Sequence, residues 1–400
     1  GGMTKKGKEQ QRAAAKAQRL EESERRQESG ASKPRRGRRL TPFGIGAGAV
    51  IAWICLKLWP RRITVIPVER VPLREMGPDR FVQEFAAQLP VVLTGAWAEA
   101  GWRPAELAAS CPDAVIRTFR HDERSETWAR KVQEGNMSVQ AYVRQYFAED
   151  PGARPQPLLY GFEMELKKHC PERLEHVVIP SFLTQDAFHL VTNRTGLGWP
   201  SVLLGPKGSE TGLHIDTHRL PFWIAVVAPE GRGGRPLKRF RIFPHQDANL
   251  MKFGKPGAAA NYLFDFNPWQ PDYWRHPGLA NGNVFETFLE SGDLLYIPGG
   301  SPHAVINEED NLAVSMNFLD LKTMPDFARK CNTGSPLCGL IAGKGPWVLE
   351  ALQERIEQRR DMNYFEYAGL RDAVEFCHVN AEDLKGGYPA MEAFCRGRSA

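Results

Sequence analysis

Short apolar segments recur in the middle of the chain, between residues 201 and 320. Segments rich in Val, Ile, Leu and Phe lie at 202–204, 222–227, 240–243, 294–297 and 312–318. Gly, Pro and acidic residues separate them, which is typical of strands joined by turns. A series of short strands of this kind predicts a jelly roll, the double-stranded β-helix of the cupin type.

Helix-like patterns flank this predicted barrel. Segments 79–88 and 139–147 precede it, with one strand at 91–93, and segments 346–360 and 365–377 follow it. The predicted fold class is therefore α+β, an all-β jelly-roll core with helical N- and C-terminal additions. We place the domain at residues 77–320, with the barrel at about 201–320, and a helical extension at 321–400.

The N-terminal part of the chain divides into three segments. Residues 1–42 are polar and basic, which favours a disordered or helical tail. Residues 43–60 are almost free of charge, which predicts a transmembrane signal anchor that holds the chain on a membrane through 43–59, and residues 61–76 are predicted to be a linker. The basic flank would leave the N-terminus cytosolic and the domain lumenal. The alternatives are a nuclear protein, from the basic run at 33–39, an organellar targeting segment, or a helix buried on the domain.

The positive charge of the chain is concentrated in its tail. Residues 1–42 carry 13 Lys or Arg and 5 Asp or Glu, a net charge of +8, whereas the whole chain carries only +5. The body is therefore slightly acidic, and no nucleic-acid partner is expected for it.

The cysteine pattern does not predict a zinc-finger module. The chain has seven cysteines and no Cys-x-x-Cys pair. Cys331 and Cys338 could pair in an oxidising lumen or remain free thiols. The odd number excludes pairing of all seven within one chain.

Three side chains form a candidate metal site. His214 and Asp216 are two residues apart, and His303 follows a Pro-Gly-Gly turn. Alternate residues of a strand share a face, so His214 and Asp216 can hold one ion, and the tight turn can bring His303 from a neighbouring strand. Two histidines and one carboxylate form the facial triad of non-haem Fe(II) oxygenases. His218 and His245 are further candidate ligands.

With their surroundings, these residues resemble the JmjC family of Fe(II)- and 2-oxoglutarate-dependent oxygenases, and most of all its protein-hydroxylase branch. The resemblance runs from about residue 157 to 320 and rests on four segments: PLLY at 157–160, IPSFLTQD at 179–186, GPKGSETGLHID at 205–216 and PGGSPHAVIN at 298–307. It implies that His214, Asp216 and His303 hold iron and that 2-oxoglutarate and O2 are cosubstrates.

The resemblance also implies a lysine, on the strand after the His-x-Asp motif, that binds the distal carboxylate of 2-oxoglutarate. Lys238 matches that position. Strand alternation independently predicts that Lys238 faces the interior with Phe240 and Ile242, while Arg239 and Arg241 face away. A buried lysine needs a carboxylate partner, which the cosubstrate would be. The alternative is an exposed lysine in a basic patch.

Four more polar side chains match family positions around the cosubstrate or the iron: Thr211, Tyr160, Ser315 and Asn317. Two features depart from the pattern. The loop at 228–236 is longer than in close relatives and separates Lys238 from the His-x-Asp motif. Ile224 stands where the protein-hydroxylase branch often has an asparagine.

These observations predict a dioxygenase that uses Fe(II), 2-oxoglutarate and O2 to hydroxylate a side chain of a protein or peptide substrate. Lysine demethylation is an alternative with the same iron chemistry at a different substrate carbon. A catalytically silent, membrane-tethered cupin-like binding module is another, although such a module has no need of the three ligands and the lysine. The helices after the barrel often support a dimer in relatives, so a homodimer is possible.

Overall fold

The computed structural model describes residues 63–98, 101–147, 153–191, 199–229, 234–251, 264–325, 345–380 and 388–396, with Phe327 and Arg398. The predicted tail at 1–42 and the predicted anchor at 43–60 lie outside these residues, as do Cys331 and Cys338.

Sixteen strands lie within the described part of the chain: β1 Thr64–Pro67, β2 Glu69–Pro72, β3 Val91–Thr94, β4 Val115–His121, β5 Lys131–Ser138, β6 Tyr160–Glu165, β7 Val178–Ile179, β8 Ser201–Gly205, β9 Glu210–His214, β10 Phe222–Val227, β11 Lys238–Ile242, β12 Asn283–Leu289, β13 Leu294–Ile297, β14 His303–Asn307, β15 Asn311–Asn317 and β16 Met362–Asn363. The same part contains these helices: α1 Pro78–Arg80, which continues as a π turn at Phe81–Phe85, α2 Pro104–Ser110, α3 Val139–Tyr146, α4 Leu166–His169, α5 Ala187–Val191, α6 Gly345–Gln358, α7 Tyr364–Tyr367, α8 Ala373–Val379 and α9 Pro389–Arg396.

The strands form two large sheets that face each other. The larger has the order β2-β3-β13-β10-β15-β8-β6-β4-β5, and the smaller has the order β1-β12-β11-β14-β9. The chain passes back and forth between the sheets from β8 to β15, with β8, β10, β13 and β15 in the larger sheet and β9, β11, β12 and β14 in the smaller, as in a jelly roll. The predicted fold class, an all-β core with helical additions, is confirmed.

The apolar core lies on both faces of the larger sheet. Its inner face packs against the smaller sheet through residues such as Tyr160, Ile224 and Phe240. Its outer face packs against the helices through residues such as Trp223 and Tyr296. Because both faces are covered, strand β10 is buried along its whole length, which explains its continuous apolar sequence.

The predicted linker at 61–76 is corrected by the structure. Its β-branched residues form two strands: β1 pairs in parallel with β12, and β2 pairs in parallel with β3. Each therefore extends one of the two sheets at its edge. The sequence does not reveal this pairing, because the partner strand β12 follows β1 by more than two hundred residues.

The region before the barrel contains more strands than predicted. Strands β4, β5 and β6 continue the larger sheet beyond β8. The turn between β4 and β5, at Trp128–Arg130, lies against β9. This hairpin brings side chains from outside the barrel to the strand that carries the His-x-Asp motif.

The prediction of a single-pass membrane protein is corrected. Within the residues that the structure describes, no helix combines the length and the apolar character needed to cross a bilayer. The nuclear and organellar alternatives stay predictions.

Two disulfides join segments outside the barrel. Cys111 after α2 is bonded to Cys170 after α4, and Cys377 in α8 is bonded to Cys395 in α9. Neither pair is predictable from the sequence, because nothing in the spacing of the seven cysteines specifies their connectivity.

A buried polar network connects the C-terminal helices to the barrel. Asp186 accepts hydrogen bonds from the backbone N–H groups of Phe188 and Leu319, from Nδ1 of His189 at 2.5 Å and from Oη of Tyr367 at 2.7 Å. Burial alone would raise the pKa of Asp186, but His189 and the hydroxyl of Tyr367 lower it below its usual value. The carboxylate is thus charged and fully buried, and it depends on these donors.

We expect Tyr367→Phe to lower the free energy of unfolding by about 1–3 kcal/mol, because a buried charged acceptor loses a donor. Denaturant titration followed by circular dichroism measures this change. Tyr146→Phe is the matched control, because its buried ring makes no hydrogen bond through its hydroxyl within the described residues. Equal stability of the two variants would contradict a structural role for the network.

Candidate active site

The three predicted metal ligands lie together between the two sheets. His214 ends β9, Asp216 follows it, and His303 begins β14 directly opposite His214 in the ladder. Nε2 of His214 lies 3.5 Å from Oδ1 of Asp216, and Nε2 of His303 lies 3.8 Å from the same oxygen. All three donor atoms are within 4.8 Å of one another.

The hydrogen bonds of the two histidines define which ring nitrogen is available. Nδ1 of His214 donates to the carbonyl oxygen of Gly212 at 2.7 Å, and Nδ1 of His303 donates to that of Ser301 at 3.0 Å. A carbonyl can only accept, so the proton is on Nδ1 and the lone pair of Nε2 faces Asp216. This is the tautomer that metal-binding histidines adopt. The residues therefore fit a divalent metal ion such as Fe(II).

The pKa shifts of His303 and Asp216 also favour the protonation states that metal binding requires. Burial lowers the pKa of His303 to about 4, and the neighbouring imidazole of His214 acts in the same direction. Burial would raise the pKa of Asp216, but the adjacent His214 and His303 lower it below its usual value. At neutral pH the site thus holds an uncharged His303 and an ionised carboxylate, as metal coordination requires.

The Pro-Gly-Gly turn before His303 fits closely against the turn that follows Asp216. A Cβ atom on Gly299 would lie 2.6 Å from the carbonyl oxygen of Arg219. Gly300 has a φ of +78°, which favours glycine. His218 and Arg219 also have positive φ values, although neither is a glycine. Strained backbone of this kind persists where the surrounding structure holds it, and it is common at active sites.

Lys238 is fully buried in the same cavity. Its strand shows the predicted alternation: Lys238, Phe240 and Ile242 are buried, whereas Arg239 and Arg241 are half-buried. The Lys238 ammonium donates to Oη of Tyr160 at 3.1 Å and to Oδ1 of Asn307 at 2.6 Å. Burial lowers the pKa of Lys238 to about 7. The basic-patch alternative is therefore excluded by position.

The other predicted site residues also line this cavity: Tyr160, Thr211, Ser315 and Asn317. Nδ2 of Asn317 donates to Oδ2 of Asp216 at 2.7 Å and so holds the carboxylate in place. Ile224 lines the cavity as well, where the protein-hydroxylase branch often has an asparagine. Of the further histidines, His218 is exposed, and neither it nor His245 belongs to a group of possible metal ligands in the described part of the chain.

Sequence reasoning missed several residues of the site. Asn307 bonds Lys238 and ends the PGGSPHAVIN segment, so a signal was present but no role was assigned to it. Trp128 lies edge-on to His214, with ring centroids 4.6 Å apart, and its Nε1 donates to the carbonyl oxygen of Ile215. Lys131 and Glu163 lie nearby. These three come from the β4–β5 hairpin and β6, and only the fold brings them to the motif.

Comparisons with known proteins agree with this site. A family model described as a cupin-like domain matches residues 78–324. The arginine-specific demethylase JMJ22 of Arabidopsis thaliana is 23% identical over 306 residues, which span 72% of this chain and 54% of that protein. The 2-oxoglutarate and iron-dependent oxygenase JMJD4 of Gallus gallus is 30% identical over 129 residues, 30% of this chain and 26% of that protein.

A third relative combines two activities in its name. The bifunctional arginine demethylase and lysyl-hydroxylase psr-1 of Caenorhabditis elegans is 20% identical over 266 residues, 64% of this chain and 62% of that protein. The chain thus spans less than two thirds of the length of each of these relatives. Since the family model covers more than half of the chain, and a Jumonji C domain protein is also among the relatives, the chain belongs to the cupin-like domain family as a JmjC-type member.

Proposed function

We propose that this protein is an Fe(II)- and 2-oxoglutarate-dependent dioxygenase that hydroxylates a side chain of a protein substrate. The observation that carries the proposal is the combination of two elements in one buried cavity. One is a His-Asp-His group with both free Nε2 atoms directed at Asp216, and the other is the buried lysine Lys238. The relatives that carry iron- and 2-oxoglutarate-dependent names support it.

In this proposal His214, Asp216 and His303 hold Fe(II), and Lys238 binds the distal carboxylate of 2-oxoglutarate. Tyr160 and Thr211 complete the hydrogen bonds of that carboxylate, and Ser315 lies beside the cosubstrate. Asn317 keeps Asp216 oriented. When bound, iron and 2-oxoglutarate supply an oxidation by O2 that adds a hydroxyl group to the substrate and releases succinate and CO2. The chain itself supplies a cavity in which apolar walls, such as Phe222 and Val305, exclude water.

Arginine or lysine demethylation is a second candidate, because one relative is named an arginine-specific demethylase and another a lysine-specific demethylase. The two reactions differ in the substrate carbon that is oxidised. Hydroxylation of an N-methyl group leads to loss of formaldehyde, whereas hydroxylation of a side-chain carbon leaves a stable product. A homodimer through the C-terminal helices stays a prediction.

Aerobic incubation with Fe(II), 2-oxoglutarate and a library of peptides is expected to yield succinate. Mass spectrometry of the peptides should show addition of one oxygen. Release of formaldehyde from methylated peptides would favour demethylation instead. The control is Asp216→Ala, which should form no succinate. If neither the unaltered protein nor this variant forms succinate, the result favours the binding-module alternative; if both form it equally, Asp216 is not a metal ligand.

A further inference from the structure

A second lysine, Lys131, lies beside the candidate active site. It begins strand β5, directly after the turn in which Ala129 and Arg130 have positive φ values. Only 5% of Lys131 is exposed, and within the described residues its ammonium has no hydrogen-bonding partner. A long cationic side chain normally extends its charge to water or to a counter-ion. Lys131 does neither.

The groups around the ammonium are mainly aromatic. Nζ of Lys131 lies 2.8 Å from the ring centroid of Phe162, 4.8 Å from that of Tyr160 and 5.5 Å from that of Trp128. All three rings line the cavity that contains the metal ligands. Aromatic faces attract a cation, but they do not replace the hydrogen bonds that it loses on burial.

The neighbouring carboxylates are already engaged. Glu163 accepts a hydrogen bond from Arg117 at 2.7 Å, and Asp216 accepts one from Asn317 at 2.7 Å. Burial lowers the pKa of Lys131 well below its usual value, although the charge of Glu163 acts in the opposite direction, and the nearby charge of Lys238 lowers it further. An anion that entered the cavity would restore the charged form of Lys131.

Strand register shows where this ammonium lies in the cavity. On β6, Gly161 pairs with Leu204 and Glu165 pairs with Ser201. Ser201 in turn pairs with Ser315, near the metal-ligand end of β15. Strand β6 therefore runs from Tyr160, which bonds Lys238, towards the metal ligands. The ammonium of Lys131, over the rings of Tyr160 and Phe162, thus lies beside the part of β6 that leads from Lys238 towards the triad.

We propose that Lys131 is a second cationic contact for the dicarboxylate cosubstrate, acting together with Lys238. This inference rests on the proposed function, since it assumes that 2-oxoglutarate binds in this cavity. A 2-oxoacid that chelates a metal at the triad and reaches Lys238 would lie along the rings of Tyr160 and Phe162, which the ammonium of Lys131 contacts. Lys238 already donates to Tyr160 and Asn307, which leaves one of its three N–H groups, whereas a carboxylate offers about four acceptor positions. With one donor each from Lys238, Tyr160 and Thr211, about one of these acceptor positions is left, and Lys131 can supply its donor.

The test is the affinity of the Mn(II)-loaded protein for 2-oxoglutarate, measured by calorimetry without O2, so that no turnover is needed. Lys131→Met keeps the length and removes the charge. We expect it to weaken 2-oxoglutarate binding by about tenfold or more, the usual effect of losing a charge-assisted hydrogen bond. We expect the affinity for Mn(II) alone to remain within about twofold, and thermal stability to be equal or higher, because an unpaired buried cation is removed.

The possible outcomes distinguish a failure of the Lys131 inference from a failure of the proposed function. If the unaltered protein binds 2-oxoglutarate and Lys131→Met binds it equally well, Lys131 is a packing residue and the inference is overturned. A parallel loss of Mn(II) affinity would also overturn it, since Lys131 would then act by supporting the triad. If the unaltered protein with Mn(II) does not bind 2-oxoglutarate, the proposed function itself fails. Arg120→Met is the matched control, because it removes a half-buried cation of the same hairpin that pairs with Asp122 and Glu134 and does not line the cavity of the metal ligands.

Discussion

The His214→Ala variant is expected to lose affinity for Fe(II) and Mn(II) by more than about 100-fold, while the fold persists. Loss of a partner that only orients a metal ligand already costs about 10–100-fold, so loss of the ligand itself costs more. The fold should persist because the substitution leaves the apolar side chains that form the core of the barrel unchanged. Calorimetry with Mn(II) under anaerobic conditions measures the affinity, and circular dichroism verifies the fold.

His218→Asn is the matched control for this variant. His218 is the next histidine in the chain, it is exposed, and its φ is +56°, a conformation that asparagine tolerates. Its metal affinity should equal that of the unaltered protein. If His214→Ala retains full affinity, the assignment of the triad is wrong.

Lys238→Met is expected to weaken 2-oxoglutarate binding by about 10- to 150-fold, which corresponds to about 1.5–3 kcal/mol for a hydrogen bond to a charged group. The substitution should not disturb the fold. Oδ1 of Asn307 keeps a donor in Asn311, and methionine fills a similar volume without a buried charge. Titration of the Mn(II)-loaded protein with 2-oxoglutarate measures the effect.

Arg239→Met is the matched control. Arg239 is the next residue on the strand, it faces away from the cavity, and it pairs with Glu286. It should bind 2-oxoglutarate as the unaltered protein does. If Arg239→Met weakens 2-oxoglutarate binding and Lys238→Met does not, the carboxylate does not bind on the inner face of β11.

The proposed contact between Lys238 and the distal carboxylate predicts that 2-oxoglutarate affinity depends on pH. The pKa of Lys238 is about 7 in the empty protein, so above pH 7 most molecules hold the uncharged amine. Binding of a carboxylate then requires uptake of a proton, and the affinity should fall by up to about tenfold per pH unit above 7. In Lys238→Met this dependence should become weaker. An unchanged pH profile in that variant would show that another group is responsible.

The sequence predicted the parts of the site that are local in the chain. The spacing of His214 and Asp216 predicted that both could hold one ion, and His303 follows a turn whose glycines are required by close packing and a positive φ. The inward direction of Lys238 followed from strand alternation alone. The sequence did not predict Trp128 or Lys131, because their position depends on a hairpin that packs against β9 from outside the barrel. The linker prediction failed for the same reason, since β1 and β12 are adjacent only in the fold.

The packing of the β4–β5 hairpin against β9 also determines how far the chain could be shortened. A fragment cut at the predicted barrel boundaries, residues 201–320, would contain His214, Asp216, His303 and Lys238. It would lack Trp128, whose indole bonds the backbone between the first two ligands, and Tyr160, which bonds Lys238. It would also lack β1 and β3, which cover β12 and β13. A fragment that keeps all of these contacts therefore begins at or before β1, far upstream of the first metal ligand.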